Sequence, residues 1–452
     1  MFNKSFSVII SKKIKSYKKG IKVDSDKSIS IRSFLIGSIS HNISKVENAL
    51  ESDDVFSAIN CLRRLGVKIL KQKSGKYLIY GKGLGSLSIK RNSTLDFGNS
   101  GTLARLLIGI LSTTPDIKVK IKGDKSLNKR NMSKVIKLMS KFGAEFQPKN
   151  KLNLPLKLTS SEMPVGIHYK SGISAQLKSA VILAGINSFG TTTIIEKKES
   201  RDHTENILLK NSSNTIKIKK SKKKQNLIKI YGKNYLEPLD LYIPGDPSSG
   251  AFFTALTLLN KKSLLKIKNV CLNPKRIGFY KLLKKHGGKI SFKNIKKKNN
   301  EIVGDIIIKS SKLRSIKAGP KYYTSSTDEY PIMFVLAALT PGTSVFTGIE
   351  DLANKESNRI EEMKKILKQI GVKCISSKNK MIIRGLKNYK FKNKVINVPN
   401  LSDHRLCMSA SILGLITGIK TKIKNFETVK TSCPSFLKIV KLLGGEFEIK
   451  KN

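Results

Sequence analysis

Six stretches of the chain are apolar nearly all round for about three helical turns, and each opens on a small polar or acidic residue. They are DKSISIRSFLIG from Asp26, SGTLARLLIGIL from Ser100, SAQLKSAVILAG from Ser174, SSGAFFTALTLL from Ser248, DEYPIMFVLAAL from Asp328 and DHRLCMSASILGL from Asp403. Successive starts lie 74, 74, 74, 80 and 75 residues apart, which marks an internal sixfold repeat. A helix with no polar face has to be buried. A second, one-sided helix follows each of them, predicted from Asp54, Asn131, Asp202, Asn273, Ser357 and Pro434. Apolar residues recur there at three- and four-residue spacing, as on a helix that covers a sheet. Five of these six stop at Gly, the residue that most easily takes the left-handed cap; the third does not. Short β-branched runs, such as those at 118–122, 305–309 and 380–385, fill the intervals as strands.

Six such units exceed one core of ordinary size, so three per domain is the natural division. The pattern predicts one domain at 24–243 and a second made of 1–23 plus 244–452. The apolar patch Phe6–Ile10 reads as a first strand that completes the last unit. The chain then crosses between domains twice, near Val23–Asp24 and near Pro244, as a double hinge.

Composition changes this picture little. With 452 residues and 39% apolar content the chain has ample core, and no apolar run approaches the ~18 residues of a membrane span. Phe6–Ile10 is too brief for a signal-peptide core. Five scattered cysteines and five dispersed histidines form neither a disulfide framework nor a metal cluster, so a reducing cytoplasm and no metal are expected. The formal net charge of +56 is the exception. It suggests anionic partners, yet 12 Arg against 75 Lys, spread over the whole chain, look like a general bias rather than a built patch. The densest run, KIKKSKKKQ at 217–225, lies between two short alternating strands and reads as a solvated hairpin end, with an RNA-binding loop as the sharper alternative.

The starts of the buried helices carry unusual chemistry: Lys27, Ser28 and Arg32, Ser100 and Gly101, Ser174 and Gln176, Ser248 and Ser249, Asp328 and Glu329, and Arg405. Free N–H groups and the helix dipole favour anions there. Capping alone would explain Ser and Asp, but not Lys27 with Arg32, nor Gln176 behind Ser174. Six of the twelve arginines (Arg32, Arg105, Arg130, Arg201, Arg359 and Arg405) fall in such signature segments. In a chain that otherwise uses Lys, the planar fork of Arg points to bidentate grip on carboxylate or phosphate.

In this order GNSGTLAR, GDKSLNKR, SAQLKSAVILAG, GDPSS, DEYP, KESNRI and DHR resemble the enolpyruvylshikimate-phosphate synthase family, over nearly the whole chain from about Ile21. DKSISIRS, LDFGNSGT and SRDHTE are closest to the bacterial subgroup with glyphosate-tolerant members. The resemblance implies an α/β (α+β) fold of two similar domains, each three βαβαββ repeats in an inverse α/β barrel-like arrangement, with the active site in the interdomain cleft. It implies transfer of the enolpyruvyl group of phosphoenolpyruvate to the 5-hydroxyl of shikimate 3-phosphate, with no cofactor. On that resemblance Lys27 contacts both substrates, and Ser28 and Arg32 hold the shikimate carboxylate. Ser174, Ala175 and Gln176 meet shikimate 3-phosphate, with Ser200 and Arg201 nearby and Lys355 at its hydroxyls. Arg130, Arg359 and Arg405 clamp phosphoenolpyruvate, helped by Asn99, Gly101 and Gln176. Asp328 is the base at the attacking hydroxyl and Glu356 the acid at C3, with Lys27 the third catalytic residue. Thr431 stands where many relatives have a late Lys. Gly101 carries no methyl to narrow the phosphoenolpyruvate pocket, so sensitivity to glyphosate is expected.

The sister family that acts on a UDP-sugar shares the architecture but usually carries a reactive Cys near residue 115, and the region from Leu111 to Lys129 has none. A basic nucleic-acid-binding module is the alternative from another class. It would interleave aromatics with its basic residues, and the Lys runs here hold few. A monomer with small-molecule substrates, no specific nucleic acid and no membrane is the expectation.

Overall fold

The structure is a computed structural model that describes residues 5–221, 225–387, 391 and 395–451. Lys222–Lys224, the middle of the basic run singled out above, lie outside the described residues; Ile216–Lys220 and Asn226–Tyr231 on either side pair as antiparallel strands.

The chain divides into two compact units. One comprises Ser25–Ile243 together with Lys297–Glu301; the other comprises the residues up to Asp24, Pro244–Lys296 and Ile302 onward. The short excursion of Lys297–Glu301 has no signature in the periodicity.

Within the Ser25–Ile243 unit three core helices, Lys27–Ile39, Gly101–Thr113 and Ala175–Ile186, are buried along nearly their whole length. Their serines lie inside too, and several donate back to the preceding turn, as Ser30 does to the Asp26 carbonyl (2.8 Å) and Ser38 to that of Leu35 (2.7 Å). The second and third core helices approach backbone to backbone, because a Cβ on Gly109 would fall 2.6 Å from the Ala180 carbonyl oxygen. Three four-stranded sheets cover them: Asp240–Tyr242, Ile43–Glu47, Lys76–Tyr80 and Lys68–Lys73; Thr94–Asp96, Lys118–Lys122, Leu156–Thr159 and Glu145–Gln147; His168–Ser171, Thr191–Glu196, Asn226–Tyr231 and Ile216–Lys220. Each begins with a parallel pair and continues antiparallel. Alternation sets which side faces the helices: in Lys118–Lys122 the lysines are exposed and Val119 and Ile121 buried.

The other unit repeats the plan with core helices Pro247–Leu259, Tyr330–Ala338 and His404–Thr417, each in contact with the other two. Two of its sheets borrow strands from the beginning of the chain. Lys18–Ile21 lies parallel to Leu264–Cys271, and Phe6–Ile10 runs antiparallel between Lys420–Ile423 and Glu448–Lys451. The expectation that the first strand completes the last repeat is met.

All six outer helices form, and Gly66, Gly143, Gly287, Gly371 and Gly444 end five of them at φ between 83° and 95°. Their starts differ from the predicted ones by a few residues. The largest shift is in the fourth, where the helix is Gly278–Lys285 rather than starting at Asn273. The intervening turn instead sends Arg276 inward, where its guanidinium bonds Asp246 (2.9 Å) and Ser248 (3.1 Å). No helix among the described residues is long and apolar enough to cross a membrane.

Candidate active site

Each unit carries its own constellation at the starts of its core helices. In the Ser25–Ile243 unit, Asp26 caps the first core helix by accepting from the Ile29 N–H (2.9 Å), which leaves Lys27 as its first residue. Lys27 Nζ donates to Asp54 Oδ2 (2.9 Å), and both side chains are largely buried. Asp54 arrives because helix Asp53–Arg64 packs against the first core helix; no local pattern in the sequence announces that pairing. Arg32, one turn further in and buried, is held by all its nitrogens: Nε donates to Thr204 Oγ1 (2.8 Å), Nη1 to the Ser28 carbonyl (2.9 Å) and Nη2 to Ser179 Oγ (3.1 Å).

The second and third core helices are joined at their starts. Ser100 and Ser174 cap them through the N–H groups of Leu103 (3.2 Å) and Leu177 (3.4 Å). Arg130 Nη2 donates to Asn99 Oδ1 (2.6 Å). Arg105 Nη1 donates to Gln176 Oε1 (2.9 Å), and Gln176 Nε2 to Thr102 Oγ1 (3.0 Å). Gly101 sits between two guanidinium groups: a Cβ there would lie 2.9 Å from Nη1 of Arg105 and equally close to Nη1 of Arg130. Arg105 belonged to the signature arginines in the sequence but not to the expected binding set; its bond to Gln176 brings it in. Ala175 is the first residue of the third core helix.

Below this lies a buried ion triad. Lys178 Nζ stands 2.6 Å from Glu196 Oε1 and 2.6 Å from Glu205 Oε1 with no solvent exposure. Burial alone would raise the Glu196 carboxyl; the Lys178 ammonium and the donors Asn226 and Ser200 outweigh it and hold the group below its usual range. Ser200 gives both its N–H (3.0 Å) and its hydroxyl (2.9 Å) to Glu196. Arg201 follows it, half-buried.

In the other unit the centre is Arg359, 1% exposed and surrounded by carboxylates. Its Nε donates to Asp403 Oδ2 (2.9 Å), its Nη2 bonds Glu356, and Nη1 lies 3.8 Å from Asp328 Oδ1. Burial opposes the guanidinium charge, but Asp403 and Glu356 overcome it and push its pKa up. Asp403 also caps the helix His404–Thr417 through the Arg405 backbone N–H (2.9 Å), so one carboxylate meets the Arg359 guanidinium and the helix start that carries Arg405. Arg405 is 3% exposed, and its Nε and Nη1 have no hydrogen-bond partner among the described residues. Buried guanidinium donors in that condition ask for an anion. Lys355 Nζ reaches Asp351 Oδ2 (2.6 Å), which also accepts from Tyr323 Oη (2.9 Å). Beside Asp328, the buried Glu329 accepts from Ser248 in the Arg276 network. Thr431 donates to the Thr428 carbonyl (2.8 Å) and presents no cation.

Each of the two units repeats one plan of buried helix, outer helix and four-stranded sheet three times, with arginines near several helix starts. A model of the family described as EPSP synthase (3-phosphoshikimate 1-carboxyvinyltransferase) matches residues 11–440. The 3-phosphoshikimate 1-carboxyvinyltransferase of Zymomonas mobilis is 36% identical over 444 residues, 98% of this chain and 97% of that protein. The same-named protein of Sulfurihydrogenibium sp. is 36% identical over 94% of this chain and 97% of its own length. The solved EPSP synthase of Acinetobacter baumannii superposes with a TM-score of 0.84 at 32% identity, covering 98% of this chain and all of that one. The chain belongs to the EPSP synthase family.

Proposed function

We propose that this chain transfers the enolpyruvyl group of phosphoenolpyruvate to the 5-hydroxyl of shikimate 3-phosphate, releasing phosphate. The observation that carries the reading is the pair Arg359 and Arg405, both buried beside Asp403, which accepts from the Arg359 guanidinium and from the Arg405 backbone N–H; Arg405 has unmet guanidinium donors and Arg359 touches two more carboxylates. That arrangement suits a small dianion with a carboxylate and a phosphate, and it sets an acid and a base beside it.

Asp328 takes the proton of the 5-hydroxyl as its oxygen bonds to C2 of phosphoenolpyruvate, and Glu356 delivers a proton to C3. The tetrahedral adduct then loses phosphate from C2 and a proton from C3, restoring the vinyl ether. Arg130, Arg359, Arg405 and Lys27, with Asn99, Gly101 and Gln176, offset the charge of the phosphoenolpyruvate and of the departing phosphate. Ser28, Arg32, Ser174, Ala175, Gln176, Ser200, Arg201 and Lys355 hold shikimate 3-phosphate. An arriving carboxylate competes with Glu356 for Arg359.

The two units are taken as the two domains, 24–243 and 1–23 with 244–452. The protein works as a cytoplasmic monomer on small molecules alone, with no metal, cofactor or specific nucleic acid.

The test is phosphate release from phosphoenolpyruvate, with and without shikimate 3-phosphate, in the wild type and in Asp328→Ala. Release should require shikimate 3-phosphate and fall at least about a hundredfold in the variant. Release supported by UDP-N-acetylglucosamine instead would assign the sister reaction, and silence with both acceptors would overturn the reading.

A further inference from the structure

Helix His203–Asn211 opens with three consecutive buried side chains, each committed to a different neighbour. Thr204 Oγ1 accepts from Arg32 Nε (2.8 Å) and donates to Ser179 Oγ (2.8 Å), which itself accepts from Arg32 Nη2. Glu205 forms one side of the Lys178 triad. His203 Nδ1–H donates to Glu301 Oε1 at 2.7 Å, and Asn206 Nδ2 on the next turn donates to the same oxygen (3.1 Å).

Glu301 comes from far away in the chain, at the tip of the hairpin Lys289–Lys309, and that tip is part of the Ser25–Ile243 unit. It is 4% exposed, and these donors help its carboxylate stay inside. It also places a negative charge at the first turn of the helix, the end that favours one, where Asp202 makes no side-chain cap bond.

We infer that Glu301 is a positioning residue for the shikimate 3-phosphate half of the site. It anchors the helix start. Through Thr204 that start orients the Arg32 guanidinium, and immediately before it lies the Ser200–Arg201 turn. Neither Glu301 nor His203 touches substrate in this account. The inference rests on the substrate reading above for the ligand that Arg32, Ser200 and Arg201 receive. A general stabilising role would loosen both substrates alike, whereas positioning through Arg32 and Arg201 acts on one of them.

The experiment uses the full chain with Glu301→Ala and Glu301→Gln, and has two readouts. In steady-state phosphate release, Glu301→Ala should raise the KM for shikimate 3-phosphate about tenfold while kcat and the KM for phosphoenolpyruvate stay within about twofold. Glu301→Gln, which keeps an acceptor for His203 and Asn206, should recover most of that loss. Amide hydrogen exchange across 200–211 should quicken in Glu301→Ala and not in the core helices Gly101–Thr113 and Ala175–Ile186. An unchanged KM for shikimate 3-phosphate, a parallel rise in both KM values, or unchanged exchange at 200–211 would overturn the assignment. A wild type that releases no phosphate with shikimate 3-phosphate would strike the substrate reading instead, and the exchange result would still decide whether Glu301 anchors the helix.

Discussion

Gly101 shows how much one missing methyl can matter. A Cβ at this position would press on the guanidinium groups of both Arg105 and Arg130 at 2.9 Å. Both could swing aside, but Arg130 is tethered to Asn99 and Arg105 to Gln176, so either move disturbs the proposed phosphoenolpyruvate contacts. Gly101→Ala should therefore raise the KM for phosphoenolpyruvate about tenfold with a smaller change in kcat, measured by phosphate release at saturating shikimate 3-phosphate. The wild type, with room here, should be inhibited by millimolar glyphosate, and the variant less so. Residue types were legible from the sequence: Lys27, Arg32, Gln176, Arg359 and Arg405 could all be singled out by helix-start position and by the rarity of Arg. Their partners were not. Asp54, Thr204 and Asp403 meet these cations by tertiary packing, and neither periodicity nor spacing encodes which carboxylate or hydroxyl ends up opposite a given cation.

At the scale of elements, the third core helix keeps a lysine where its neighbours have apolar or hydroxyl side chains. Lys178 is sustained by Glu196 and Glu205, and removing it leaves two buried carboxylates facing each other. Lys178→Met should cost about 3–5 kcal/mol, read as a lowered denaturant midpoint for this unit. The pH dependence has a definite sign. The folded pKa of Glu196 is below its ordinary 4.5, so its contribution is whole above that pH and disappears as pH falls through the lower folded value. The folded pKa of Lys178 is above 10.5, so its contribution is whole below that pH and is lost as pH rises past the higher folded value. In Lys178→Met both losses should vanish from the stability profile. The core helices themselves were predictable because an all-apolar stretch has one physical outcome. The outer helices were less so at their starts, where Arg276 turning inward to Asp246 and Ser248 delays the helix to Gly278.

For the whole molecule the charge of +56 is the conspicuous quantity, and the described residues distribute it on exposed strand faces such as Lys118–Lys122. Charge of this kind binds any polyanion without reading it. Affinity for duplex DNA should be independent of sequence and fall steeply with salt in a filter-binding titration; a sequence preference beyond about tenfold would mark a specific site. The repeat was legible because the same spacing returned six times. The insertion of Lys297–Glu301 into the other unit was not, since a hairpin tip looks alike wherever it docks.

The strand Phe6–Ile10 has a consequence for how the protein is born. It sits hydrogen-bonded on both edges, between segments that end at Ile423 and Lys451. Synthesised ahead of both neighbours, it must wait through about 20–90 s of synthesis before the second of them exists. The stretch Ser25–Ile243 can meanwhile collapse on its own core, since nearly all of that unit has already emerged. A nascent chain therefore carries a bare apolar segment ahead of a finished half, exposed to chaperones and to like segments on neighbouring polysomes. The opening residues are among the last to find their place.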